Sequence, residues 1–186
     1  MSAIYPELIQ AILQQYRSSW KGLHGARHWA RVWENGLKLA NYTGAKTGVV
    51  ELFAVFHDAC WVDDEWDDSH GRRGADLAAL LRGKYFELND HDFGFLKYAC
   101  CFHTSGLTEG NITVQICWDA DRLDLGRVGI HPDKSKLCTD AAKMPEMIAW
   151  ANERAGNEDI PNNSGAIWQN FINRHLKSHE DNYRHS

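Results

Sequence analysis

Apolar residues recur along this chain at helical intervals nearly everywhere, and the recurrence divides it into segments. Ile4, Leu8, Ile9, Ile12, Leu13, Tyr16 and Trp20 share one face of a first helix, with Pro6 suited to its opening turn. The spacing predicts a second helix from about Ala26 to Tyr42, ending before Gly44, and a third over roughly Thr47 to Asp58. A fourth runs from Ser69 to Arg82, with Gly83 at the left-handed position past its end. Further helices follow near Asp90 to Phe102, Thr113 to Leu125, Asp140 to Ala155 and Gly165 to Ser178, the last two separated by the turn-rich GNEDIPNNSG. No stretch alternates with the period of a strand, and no repeat or low-complexity linker interrupts the chain. The expected fold is all-α.

Composition narrows the class. At 186 residues, 44% hydrophobic and 24% charged, the chain fits one domain with a substantial core. A net charge of -5 without a lysine-arginine stripe argues against nucleic-acid binding. The N-terminus lacks the basic and continuous apolar pattern of a signal peptide, and no apolar run reaches the ~20 residues that span a bilayer, so a cytoplasmic protein without membrane contact is expected. Cys60, Cys100, Cys101, Cys117 and Cys138 are odd in number and form no CxxC pair, which reads as reduced thiols in apolar segments.

The chemistry concentrates where apolar segments carry imidazoles and carboxylates. The stretch VVELFAVFHDACWVDDEWDDSHG ends a core segment in His57-Asp58, and a carboxylate there needs a compensating partner because burying an isolated charge costs several kcal/mol. His28 lies on the stripe of Val32, Asn35 and Leu39, and Asp121 sits one turn after Cys117 in CWDADRLDLG. Imidazole nitrogen with carboxylate oxygen suits Zn, Mn, Fe, Co or Ni. Taken alone, a core-facing histidine such as His28 is more often simply hydrogen-bonded within the fold. His91-Asp92, another His-Asp dipeptide, follows Asn89-Asp90 at a helix start and reads as an exposed capping pair.

A histidine within HxxRV, an adjacent His-Asp after an apolar helix, and a later aspartate in DADRLD, in that order, resemble the HD superfamily of metal-dependent phosphohydrolases. The resemblance covers about Leu23 to Ile130. It implies a single HD-domain-like helical bundle, with a core over about residues 20–130 and a C-terminal helical extension over about 135–180. Carried over by position, the family's metal ligands fall on His28, His57, Asp58 and Asp121, Asp121 being the aspartate directly before Arg122-Leu123. In part of the superfamily two intermediate histidines bind a second ion bridged by the paired aspartate; here these would be His70 and His103, with the ions about 3.5–4 Å apart. In members with one ion, His103 would contact phosphate and His70 would only pack.

The resemblance further implies a hydrolase of a small phosphate ester or nucleotide, using one or two divalent ions (Mn, Co, Ni, Zn, Mg or Fe) to lower the pKa of water from 15.7 towards ~7. Asp58, His57 and His103 would serve catalysis, and an acid shortly after the pair, Asp63, Asp64 or Glu65, would orient the attacking water, although a solvated loop with Asp67, Asp68 or Ser69 capping the next helix is the commoner state of such a cluster. His24, Arg72 and Arg73 are candidates for the phosphate, and Arg122 for a structural pair with an acid. Two other functions share this scaffold: a di-iron oxygenase using the six-ligand set, and a non-catalytic binding module. Among the eight tryptophans, Trp29, Trp33 and Trp118 read as packing; Trp61 and Trp66 flank the acid loop. Helices after Lys134 could cover the pocket or mediate a homodimer.

Overall fold

A computed structural model of the protein describes residues 2–15, 22–62 and 67–156. The fold is all-α. Helices run α1 Pro6–Leu13, α2 Ala26–Thr43, α3 Thr47–Phe56, α4 His70–Leu81, α5 Asp90–Phe102, α6 Ile112–Arg122, α7 Asp140–Lys143 and α8 Pro145–Gly156, with short 3-10 turns at Leu125–Val128 and Lys134–Lys136. Among the described residues there is no strand, and no helix is long and apolar enough to cross a membrane.

The apolar sequence of α3 explains its place. Every residue from Val49 to Phe56 is buried, so no face is left for solvent, and the helix runs through the middle with α1, α2, α4, α5 and α6 packed around it. Glu51 is the one acid on it, and Ser2 Oγ, the Ala3 amide and Trp33 Nε1 donate to its carboxylate at 2.8, 2.7 and 3.2 Å. Phe53, Phe56, Trp29 and Trp118 are among the largest fully buried side chains, each stabilising the fold by roughly 1.5–3 kcal/mol through apolar burial. Trp118 Nε1 donates to Ala99 O at 3.0 Å, which joins α6 to α5 while leaving no orphan donor.

Helix ends follow local chemistry. Asn89 and Asn111 cap α5 and α6 by accepting from the Asp92 and Thr113 amides, and Gly44 and Gly83 take positive φ values of 70° and 76° after α2 and after α4. Several expected boundaries need correction. Helix α1 ends at Leu13, and α6 stops at Arg122 rather than Leu125, giving way to a 3-10 turn. The segment from Asp140 is broken by Pro145, which lacks the amide needed to continue α7 and instead opens α8. Asp92 is buried, not exposed; its carboxylate accepts from Asn89 Nδ2 at 2.9 Å while His91 stays in solvent. Tyr16, Trp20 and the segment Gly165 to Ser178 lie outside the described residues.

A candidate metal centre between the helices

Four helices deliver the imidazoles. His28 comes from the first turns of α2, His57 from the residue closing α3, His70 from the start of α4 and His103 from the residue closing α5. Asp58 follows His57 directly, and Asp121 lies in the last turn of α6. The four rings and Asp58 are almost wholly buried, and the Asp121 side chain is 16% exposed.

Each ring is fixed by what its Nδ1 does. His28 Nδ1 donates to Asp124 Oδ2 at 2.7 Å, His57 Nδ1 to Phe53 O at 3.0 Å, His103 Nδ1 to Cys100 O at 2.7 Å, and His70 Nδ1 to Asp67 O. A carbonyl or carboxylate can only accept, so Nδ1 carries the proton and Nε2 of a neutral ring presents a lone pair. All four Nε2 atoms turn inward. They meet in two pairs, His28 with His57 at 3.0 Å and His70 with His103 at 2.9 Å. Asp58 lies between the pairs: Oδ2 is 3.4 Å from His28 Nε2 and 3.6 Å from His57 Nε2, while Oδ1 is 3.3 and 3.4 Å from His70 and His103. Asp121 Oδ1 joins the first pair at 3.4 and 3.8 Å.

This donor set fits a cation. Two ligand atoms about 2.1 Å from one ion lie at most about 4.2 Å apart, and every distance above falls within that limit. His28, His57 and Asp58 form one group that could hold a metal ion, and Asp58, His70 and His103 form a second. Without a cation, facing lone pairs repel, and a proton must take the place. Burial, then the Arg127 charge, oppose a charged His28, but the Asp121, Asp124 and Asp58 carboxylates, which accept from the ring, raise it to about 9. Burial pushes its partner His57 down to about 3 despite Asp58 and Asp121. In the second pair burial again opposes charge, yet the Asp58 carboxylate raises His103. Burial also works against an ionised Asp58, but the surrounding histidines, His57 first, hold it well below the usual carboxylate range.

The three aspartates of DADRLD divide the work. Asp121 faces the histidines. Asp119 accepts from the Cys138 and Thr139 amides at 2.6 and 2.9 Å and from Thr139 Oγ1 at 2.7 Å, tying α6 to the start of α7. Asp124 is fully buried behind His28 and takes two contacts from Arg31, Nε to Oδ1 at 2.6 Å and Nη2 to Oδ2 at 3.1 Å. Its role behind His28 was not assigned from sequence, although Arg31 in HxxRV and Asp124 in DRLD share a buried side of their segments.

Two glycines were also missed. A Cβ at Gly71 would lie 2.2 Å from Cys100 O, the carbonyl that orients His103, and one at Gly74 would lie 2.0 Å from Phe56 O. Only hydrogen at these positions lets α4 approach α3 and α5 closely enough to bring His70 to Asp58. The spacing HGxxG after an acidic loop carried that signal.

His24 Nδ1 donates to Asp58 Oδ2 at 2.9 Å, and its ring stacks on Trp61 with centroids 3.8 Å apart and planes 8° from parallel. Trp61 also lies over His70, centroids 4.0 Å apart. Arg73 donates from Nη2 to Cys60 O at 2.9 Å and to Asp67, and lines a cavity of about 260 Å³ with Cys60, Trp61 and Leu77. Arg72 is exposed. Among the described residues Arg122 meets carbonyls rather than the expected acid, donating to Leu107 O at 2.7 Å and Lys136 O at 2.8 Å. Asp63, Asp64, Glu65 and Trp66 lie outside the described residues, and Cys100, Cys101, Cys117 and Cys138 are free thiols.

No protein-family model matches the chain, and neither a curated protein nor a solved structure matches it. What fold and site define together is an all-α protein with buried His/Asp groups that could hold a metal ion, an arrangement compatible with an HD-type site.

Proposed function

We propose that this protein is a metal-dependent phosphohydrolase of HD type, acting on a small phosphate ester or nucleotide. The observation that carries the reading is the Asp58 carboxylate between two inward-facing imidazole pairs. His28, His57, Asp58 and Asp121 would hold one divalent ion, and Asp58, His70 and His103 a second. Three protein donors at the second position leave room in a coordination shell for water and substrate. Bound there, divalent ions supply Lewis acidity at a phosphoryl oxygen and a water made more acidic, towards a pKa of ~7.

The chain's own residues do the rest. Asp124 and the carbonyls of Phe53, Cys100 and Asp67 keep the Nε2 lone pairs facing the centre, which preserves the set for a cation. Burial of the rings excludes bulk water and strengthens each charge interaction with an anionic substrate.

The test is a hydrolysis screen of p-nitrophenyl phosphate and nucleoside phosphates with protein loaded with Mn(II), Co(II), Ni(II) or Mg(II), beside a His57→Ala, Asp58→Ala variant. Phosphate release that requires metal and disappears in the variant is expected. Equal release from both proteins overturns the reading. Iron retention with oxygen-dependent turnover and no hydrolysis replaces it with the di-iron oxygenase.

A further inference from the structure

We infer that His24 is a positioning residue for Asp58, fixing the plane of the carboxylate that the two imidazole pairs share. The inference rests on the metal-centre reading above. The contacts from Asp58 to His28, His57, His70 and His103 run from 3.3 to 3.6 Å, longer than a well-formed hydrogen bond. His24 Nδ1 donates to Oδ2 at 2.9 Å.

A carboxylate side chain beyond a helix end can rotate, and a rotated Asp58 would present both oxygens to one pair and none to the other. Donation from His24 to Oδ2 prevents this: Oδ2 stays on the side of His28 and His57, and Oδ1 is left for His70 and His103. Oδ2 keeps a second lone pair for a cation, so the hydrogen bond orients the ligand without consuming it.

The position of His24 is itself determined. The Gly25 amide donates to Gly22 O at 3.0 Å, making a tight turn into α2 that sets His24 one helical turn ahead of His28. Its ring lies flat against the Trp61 indole, and that indole also packs against His70. The stack thus joins His24, at the 18% exposed rim of the centre, to a histidine of the second group. Stacking and hydrogen bonding are independent contacts on one ring, and together they leave it little freedom.

The experiment measures Zn(II) stoichiometry by elemental analysis and affinity by competition with a chromophoric chelator. The proteins are the full chain, His24→Ala, His24→Asn and the His57→Ala, Asp58→Ala control. His24→Ala is expected to bind the same number of ions about 10- to 100-fold more weakly, the usual effect of removing a partner that orients a ligand. His24→Asn, whose side-chain amide reaches the place of Nδ1, is expected to restore most of that loss. Unchanged affinity in His24→Ala overturns the inference, as does an asparagine variant as weak as the alanine one. Loss of a whole equivalent overturns it too, because His24 would then be a ligand.

Zn(II) binding undiminished in the control, or absent from the full chain, refutes the metal centre itself and takes this inference with it. Should His24→Ala not fold, the imidazole nitrogen spectrum of the Zn(II)-loaded full chain decides. His24 protonated at Nδ1 supports the inference, and His24 protonated only at Nε2 overturns it.

Discussion

Replacing Gly74 by alanine adds one methyl group where the helices have no room for it. The new Cβ would lie 2.0 Å from Phe56 O and 3.4 Å from His57 O, both backbone atoms that cannot rotate away. Relief requires α4 to withdraw from α3 by at least about 1 Å, since packed interiors do not accept carbon and oxygen closer than about 3 Å. Overpacking of this kind costs about 1–3 kcal/mol, and a rigid neighbour places the cost at the upper end. Alanine's better helix propensity offsets about 1 kcal/mol. A net loss of about 2 kcal/mol corresponds to a melting temperature about 4–8 °C lower for a chain of this size.

Gly94→Ala supplies the opposite sign from the same substitution. Its Cβ would meet nothing within 4 Å, and the site is exposed in α5, so the propensity gain remains uncancelled. That variant should melt about 2 °C higher. Thermal unfolding of both, followed by circular dichroism, is the assay. A Gly74→Ala protein that melts with or above the parent would refute the claim that glycine is what lets α4 carry His70 to Asp58.

Other outcomes follow from the same contacts. Asp124→Asn keeps the shape but removes the charge behind His28 and Arg31, so Zn(II) affinity in chelator competition should fall about 10- to 100-fold; an unaltered affinity would show that Asp124 does not support His28. His103→Ala leaves two of the three donors of the second group, and elemental analysis should register about one equivalent less metal per chain while the first group keeps its own. Stripping metal with a chelator should lower thermal stability, because free ion at about 100 times its dissociation constant contributes about 2.7 kcal/mol to the folded state. Identical melting curves with and without chelator would contradict that.

The helices were the most legible part of the sequence, and their ends were legible where one residue decides them. Helix α5 keeps its expected bounds because Asn89 caps it, and α2 stops at a glycine that takes a positive φ. Pro145 was equally visible, but apolar periodicity continues across it, and the break was overlooked. Within the site, the order of histidines and aspartates indicated which helix ends face one another. Distances between the Nε2 atoms depend on how closely helices approach, and that is set by Gly71 and Gly74, whose role is steric and leaves no apolar pattern. Asp121 was picked out from its neighbours by its place directly before Arg122-Leu123, whereas what Asp119 and Asp124 do depends on which face of α6 and of the turn after it each occupies. Arg73 and His24 were read as phosphate contacts from their charge alone. Their partners, Cys60 O with Asp67 and Asp58, come from other segments, and only the tertiary fold brings them near.

The central claim is that inward-turned imidazoles exist to hold metal. Anomalous X-ray scattering from crystals of the Mn(II)-loaded protein, recorded above and below the metal edge, tests it most directly. The account predicts one peak among His28, His57, Asp58 and Asp121 and another among Asp58, His70 and His103. Refined density with no anomalous signal between those rings, at a metal concentration that saturates the protein, would contradict it.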